Sequence, residues 1–279
     1  MEVIRDFTYY LGKRPTAIIG MTLVLIMILA GVFAPLLSFY DPEEPITADN
    51  RMPPNVRHLF GTDETGMDIF TRVIFAARID ISIGLLGTLI SLAIGIPIGL
   101  LVGYYEGIFG EVVMRLADLI QAFPVFILAM ALVAALGNKI ENVVLAIAFV
   151  NAPIYLRLVR TEVLSIKHRP FVEAARCGGR GDFSIMFRDL LPNSVRPALI
   201  QSSVNVGWAI LLTAGLSFIG AGVQVPTPEW GSMISIGAST IITGQWWASF
   251  FPGLAIMVTV LGFALLGDFL REYLDPERR

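Results

Sequence analysis

Uncharged runs of about twenty residues recur along this chain. A helix rises about 1.5 Å per residue, so roughly twenty apolar residues cross about 30 Å of hydrocarbon. The first run, 17–37, follows Lys13 and Arg14; it is too long for the apolar core of a signal peptide and has no small-x-small cleavage pattern, so it reads as a retained anchor. Residues 81–105 lie between Asp80 and Glu106, and 119–138 between Asp118 and Lys139. The stretch 197–267 is broken only by Glu229, and its middle, 220–245, is rich in Gly, Ser, Thr and Pro. It therefore divides into spans near 198–219 and 247–266 around a polar-leaning loop. A further segment, 142–156, is short for a span and carries Pro153. Alone it fits a buried or re-entrant helix as well as a span. It reaches full length if Arg157 lays its stem on apolar surface and its head in the interface.

Charge resolves this ambiguity. With six crossings both termini share one side. That side then carries three basic residues in 1–16, one in 104–118, eight in 157–196 and three in 267–279, against four in 40–80 and one at Lys139 on the other. The positive-inside rule makes both termini cytoplasmic, and removing the fourth span would reverse the asymmetry. Trp230, Trp246 and Trp247 are then expected at the outer interface. The prediction is an all-α membrane protein with six transmembrane helices. It divides into a cytoplasmic segment 1–16, a first span and external loop 17–80, and a five-helix core 81–279 containing the loop 157–196. Composition agrees: 55% of the 279 residues are hydrophobic and 15% charged, where a soluble domain has about 25% charged. A soluble enzyme is excluded, and a net charge of −3 excludes a disordered or nucleic-acid-binding chain.

Two segments outside the spans stand out. In 69–80, Ile69, Val73, Ala76, Ala77 and Asp80 face away from Arg72 and Arg78, a pattern for a short helix lying on the outer surface before the second span. The hydrophilic stretch before it is either a connecting loop or a docking surface for an external partner. In 157–196, Pro170 can start a helix, Glu173 suits its positive end, and Gly178-Gly179 can end it. A second helical stretch, 183–191, is expected to stop at Pro192. A helix of about two turns is marginal alone. Ala174 and Ala175 allow close approach, either by a partner protein or by this chain's own helix ends.

The spacing here carries a resemblance. Glu173-Ala174-Ala175, then Gly179, then Leu191-Pro192, resembles the EAA motif of the membrane subunits of ABC importers; Asp189 stands where the motif has Ile. His58-Leu59-Phe60-Gly61-Thr62-Asp63 with Gly66, Asp68 and Ala77-Arg78 is similar to a signature of the C-type permease of dipeptide and oligopeptide importers, with Met67 in place of a common Arg. Pro228-Glu229-Trp230-Gly231 and the closing Leu266-Gly267-Asp268, Leu270-Arg271 and Leu274-Asp275-Pro276 resemble its late motifs. The resemblance implies a type I ABC importer permease fold in a prokaryotic cell membrane. It also implies a second homologous permease as heterodimer partner, two ABC ATPase subunits that use ATP and Mg, and an external solute-binding protein. Implied ATPase-coupling residues are Glu173, Ala174, Ala175, Gly179, Leu191 and Pro192. Substrates of such relatives include peptides, nickel, glutathione and oligosaccharides.

Other chemistry has no footing. None of Lys13, Lys139 and Lys167 sits in a P-loop pattern, so ATP phosphates have no cradle and no cofactor is expected on this chain. His58 and His168, the only histidines, fall on opposite sides, so no two-histidine metal site is expected. Ser217 has neither the Gly-x-Ser-x-Gly setting nor a histidine within a span. Cys177 is the sole cysteine. Gln201, Asn205 and Trp208 share a face of the fifth span, either lining a translocation pathway or bonding a neighbouring helix. Pro97, Pro124 and Pro153 are expected to kink their spans. A self-contained channel or secondary transporter predicts charges buried within the spans, and the assigned spans hold none.

Overall fold

The computed structural model describes residues 14–274, which form helices and connecting turns with one isolated β-bridge between Thr62 and Asp68. In chain order the main helices are α1 (Pro15–Val32), α2 (Ile69–Tyr104), α3 (Ile108–Ala122), α4 (Val125–Leu136), α5 (Ile140–Ile166), α6 (Pro170–Cys177), α7 (Arg196–Phe218), α8 (Trp230–Thr240) and α9 (Trp247–Leu274). Most of the segment 1–16, and the motif residues Asp275-Pro276, lie outside the described residues. Five helices, α1, α2, α5, α7 and α9, are long and apolar enough to cross a membrane.

A sixth crossing exists only as a bent pair. The run 119–138 is not one helix: α3 and α4 meet at 94° across Phe123 and Pro124. Phe123 is extended, as the residue before a proline prefers, and Pro124 has no N–H with which to continue the ladder. Pro97 and Pro153, by contrast, sit inside the unbroken helices α2 and α5. The doubtful fourth span is a full helix of 27 residues. Arg157 does not need to reach the interface unaided, because its guanidinium meets the Asp118 carboxylate of α3 at 2.8 Å.

The expected surface helix 69–80 is instead the first three turns of α2, which runs 36 residues without a break. The division at 80/81 therefore falls inside a helix. Asp80 reads as a boundary because it is charged, yet it is fully buried and accepts a hydrogen bond from the Trp230 backbone N–H at 3.1 Å. Glu229, also buried, caps α8 by accepting from the N–H groups of Gly231 and Ser232. Asp80 thus marks no end of the helix, although the run 81–105 that follows it holds no charge. Arg72 is buried too, its Nη1 donating to the carbonyls of Pro42 (2.6 Å) and Pro226 (3.1 Å). The outer tryptophans do not form a belt. Trp230 is fully buried and donates from Nε1 to Val73 O (3.0 Å), Trp247 donates to Thr62 O (3.1 Å), and only Trp246 is exposed.

The spine of the fold is the pair α2 and α5. Gly87, Ser91, Gly95, Gly99 and Gly103 recur every four residues and so stack along one face of α2. This row lets the backbones come close, as small residues do between membrane helices. A Cβ on Gly95 would stand 2.6 Å from Ala152 O, and one on Gly99 2.5 Å from Leu156 O. Ser91 Oγ bonds Gly87 O within α2 and reaches Ala148 O on α5 at 3.3 Å. Around this spine α7 packs on α2 and α9, α1 lies against α9 and α2, and α8 fills the outer side between α7 and α9.

Gly99→Ala forces the two backbones apart. An overpacking cost of about 1–3 kcal/mol should lower the thermal midpoint of the purified protein by roughly 2–10 °C. Gly253→Ala, where the nearest atom is 4.0 Å away, should leave the midpoint unchanged; equal midpoints for both variants would remove the row from the account.

Candidate functional site: a fastened loop helix

The segment after α5 is a small folded unit anchored to the end of α2. Pro170 opens α6, with Glu173 in its first turn. The helix ends in a Schellman motif: Gly179 N–H donates to Arg176 O (2.9 Å) and Arg180 N–H to Ala175 O (3.1 Å), with Gly179 at φ +76°. No atom lies within 4 Å of a Cβ on Gly179, so the backbone conformation alone requires glycine there.

The two alanines of the motif divide their work. Val172 and Ala175, three residues apart, face inward onto a core with Tyr104, Val163, Ile185 and Leu190. Ala174 and Glu173 face out, beside the exposed Phe171. Ala175 therefore packs on its own chain, and only Ala174 offers a small residue to an approaching surface. Pro192 does not stop the second helix. The chain winds as a π-helix over Ile185–Leu190 and then as a helical turn over Leu191–Ser194, with Pro192 in that turn's first positions, where its missing N–H costs nothing. Leu191 is half-buried and Pro192 exposed. Asp189, the departure from the motif, receives both its carboxylate oxygens' bonds from Arg180 Nη1, at 2.8 and 2.9 Å. An ion pair across the turn thus stands in place of an apolar contact.

Polar contacts fasten the unit to α2. Tyr104 and Tyr105 hydroxyls donate to the two oxygens of Asp182 at 2.6 and 3.3 Å. Arg176 lies over the Tyr104 ring, 5.6 Å from its centroid. Lys167, buried at the end of α5, donates from Nζ to Gly103 O (3.0 Å) and pairs with Glu106. That ammonium holds the Glu106 carboxyl below its ordinary range, first by hydrogen bonding and then by charge. Sequence spacing did not single out Tyr104, Lys167 or Asp182, because each acts through a partner distant along the chain, nor Arg180, whose partner Asp189 lies nine residues on.

On α7, Gln201 Nε2 donates to Asn205 Oδ1 (2.9 Å), and Asn205, buried, donates to Tyr155 OH on α5 (2.9 Å). Asn205 thus bonds a neighbouring helix, while Trp208 is partly exposed. On the outer side, His58 is buried between Asp68 (2.9 Å) and Asp49 (3.4 Å) and stacks on Tyr40. Asp68 also caps α2 by accepting from Thr71 N–H (2.8 Å). Met67 is buried, its sulfur accepting from Arg72. The motif around His58 is thus a structural clasp at the start of α2.

Comparison with known proteins places residues 95–279 in a match to the family described as binding-protein-dependent transport system inner membrane components. Residues 3–54 match the N-terminal transmembrane domain of oligopeptide transport permease C. The chain is 40% identical over 275 residues to a dipeptide transport system permease protein of Alkalihalophilus pseudofirmus, covering 99% of this chain and 90% of the relative. It is 40% identical over 280 residues to a di/tripeptide transport system permease protein of Pseudomonas aeruginosa, covering 98% and 92%. A glutathione transport system permease protein of Escherichia coli is 41% identical over 273 residues, covering 98% and 90%.

A β-branched residue at Gly179 should strain the turn by about 1–2 kcal/mol. In Gly179→Val, α6 amides should exchange hydrogen roughly 5–30 times faster than in the wild type. Gly179→Asn, better tolerated at positive φ, should fall between; identical exchange in all three would show that the turn conformation does not hold α6.

Proposed function

The chain belongs to the family of binding-protein-dependent transport system inner membrane components, and from that premise we propose that it forms half of the translocation pathway of an ATP-driven peptide importer. Its fold is the type I importer permease fold, and it is a multi-pass protein of the prokaryotic inner membrane. The other half of the pathway belongs to a second, homologous permease. Two ABC ATPase subunits bind the cytoplasmic side, and an external solute-binding protein delivers the substrate. ATP and Mg are used by the ATPase subunits, and this chain has no catalytic site of its own. Peptides are the favoured cargo because near-full-length relatives are named for dipeptides and for di/tripeptides. Relatives named for glutathione, itself a small peptide, support a second reading within the same class.

One observation carries the coupling role: α6 presents Glu173 and Ala174 outward while its inner face and flanks are tied to the ends of α2 and α5. A push on the outer face therefore moves the ends of two spans together. Closure of the ATPase subunits shifts α6, and rigid displacement of α2 with α5 switches access across the membrane. Gly179, Leu191 and Pro192 hold the shape of the loop behind it. On α7, Gln201 and Trp208 remain candidates for the pathway wall, with Asn205 serving to hold α7 to α5.

Ala174→Trp should leave the amount of protein in the membrane unchanged and lower peptide uptake by about tenfold or more, the effect of losing roughly 1.4 kcal/mol or more at the ATPase contact. Ala175→Leu should instead reduce the amount of folded protein, since Ala175 is packed inside. Full uptake by Ala174→Trp in whole cells would contradict the coupling role.

A further inference from the structure

A cavity of about 410 Å³ opens at the cytoplasmic ends of the spans, bordering α6 at Phe171 without including Glu173 or Ala174 in its lining. Three arginines line it, from three places in the chain: Arg169 at the start of α6, Arg196 at the start of α7 and Arg271 near the end of α9. Among the described residues none of the three has a carboxylate partner. Glu162 is the one acidic residue on the wall, so the cavity holds an excess of two positive charges. The rest of the lining includes Ile166, Ile200 and Leu274, which belong to the apolar spans α5, α7 and α9.

Guanidinium groups in excess over the single carboxylate are suited to phosphate, which accepts paired N–H bonds. Apolar walls beside it are suited to acyl chain. Both features lie where the spans meet the cytoplasmic leaflet, whose anionic lipids are drawn to basic pockets between helices. We propose that this cavity binds the headgroup phosphate of an anionic phospholipid, joining the ends of α5, α7 and α9 through the lipid. A free phosphate shares the headgroup chemistry but has no use for the apolar walls. The site does not depend on the cargo of the importer.

The test uses the complete transporter, with its partner permease and ATPase subunits, in nanodiscs of phosphatidylcholine containing limiting phosphatidylglycerol, with retained lipid measured by native mass spectrometry. The wild type should retain phosphatidylglycerol over phosphatidylcholine. Arg196→Gln and Arg271→Gln should each weaken retention about fivefold, the effect of one arginine on an anionic lipid. Arg196→Lys should restore most of it, and Arg188→Gln, an exposed arginine of the same loop outside the cavity, should change nothing. Equal retention of the two lipids, or no effect of the glutamine variants, would overturn the proposal. Displacement of the lipid by millimolar inorganic phosphate would assign the cavity to a free anion. Loss of the ATPase subunits from Arg196→Gln with lipid still bound would assign it to an acidic protein surface.

Discussion

The row of small residues on α2 sets the distance between α2 and α5, and most of the structure follows from that distance. Lipid tails are as apolar as leucine, so helices in a bilayer gain little from hiding apolar surface against each other and must gain by close contact. Gly95 and Gly99 lie directly against the backbone carbonyls of Ala152 and Leu156, which leaves no room for the two helices to part or slip at small cost. With that pair fixed, α7 packs along it through Asn205 and Tyr155, and the outer clasp around His58 sets where α2 begins.

The same constraint gives the loop 157–196 its leverage. It sits where α2 and α5 end, and its fastenings reach both: Asp182 to Tyr104 and Tyr105, Lys167 to Gly103 and Glu106. A marginal helix of eight residues becomes a firm part because its inner face, Val172 and Ala175, joins the core built between those two spans. The far end of α2 is equally tied, through Asp80, Val73 and Trp230, to α8. A displacement entering at α6 would therefore meet a packed route toward the outer side, as the proposed coupling requires.

Much of this was legible in the sequence. Uncharged runs mark the spans because hydrocarbon excludes charge, and the short helix α6 is marked by Pro170, Glu173 and Gly179. At Asp80 and Arg72 the difference has one cause, that a charged residue need not face solvent. Asp80 and Arg72 are buried because their partners, Trp230 N–H and the carbonyls of Pro42 and Pro226, lie in segments distant along the chain. The chain does bend at Pro124, as expected of a proline within a span, but by 94° and with a break into two helices, whereas Pro97 and Pro153 lie inside continuous helices. Two signals were present and carry more than they were asked to: the four-residue spacing of the α2 glycines, and the three-residue spacing of Val172 and Ala175 that turns Ala175 inward and Ala174 outward.

Cys177 offers the most direct test of where the permease meets its motor. It is the sole cysteine of the chain, exposed at the last turn of α6, so a thiol-attached photo-crosslinker can be placed there without any substitution in this chain. Irradiation of the assembled transporter, followed by mass spectrometry of the captured peptide, should identify an ATPase subunit, and capture should change with nucleotide. Capture of lipid or the partner permease alone, in every nucleotide state, would contradict α6 as the coupling element.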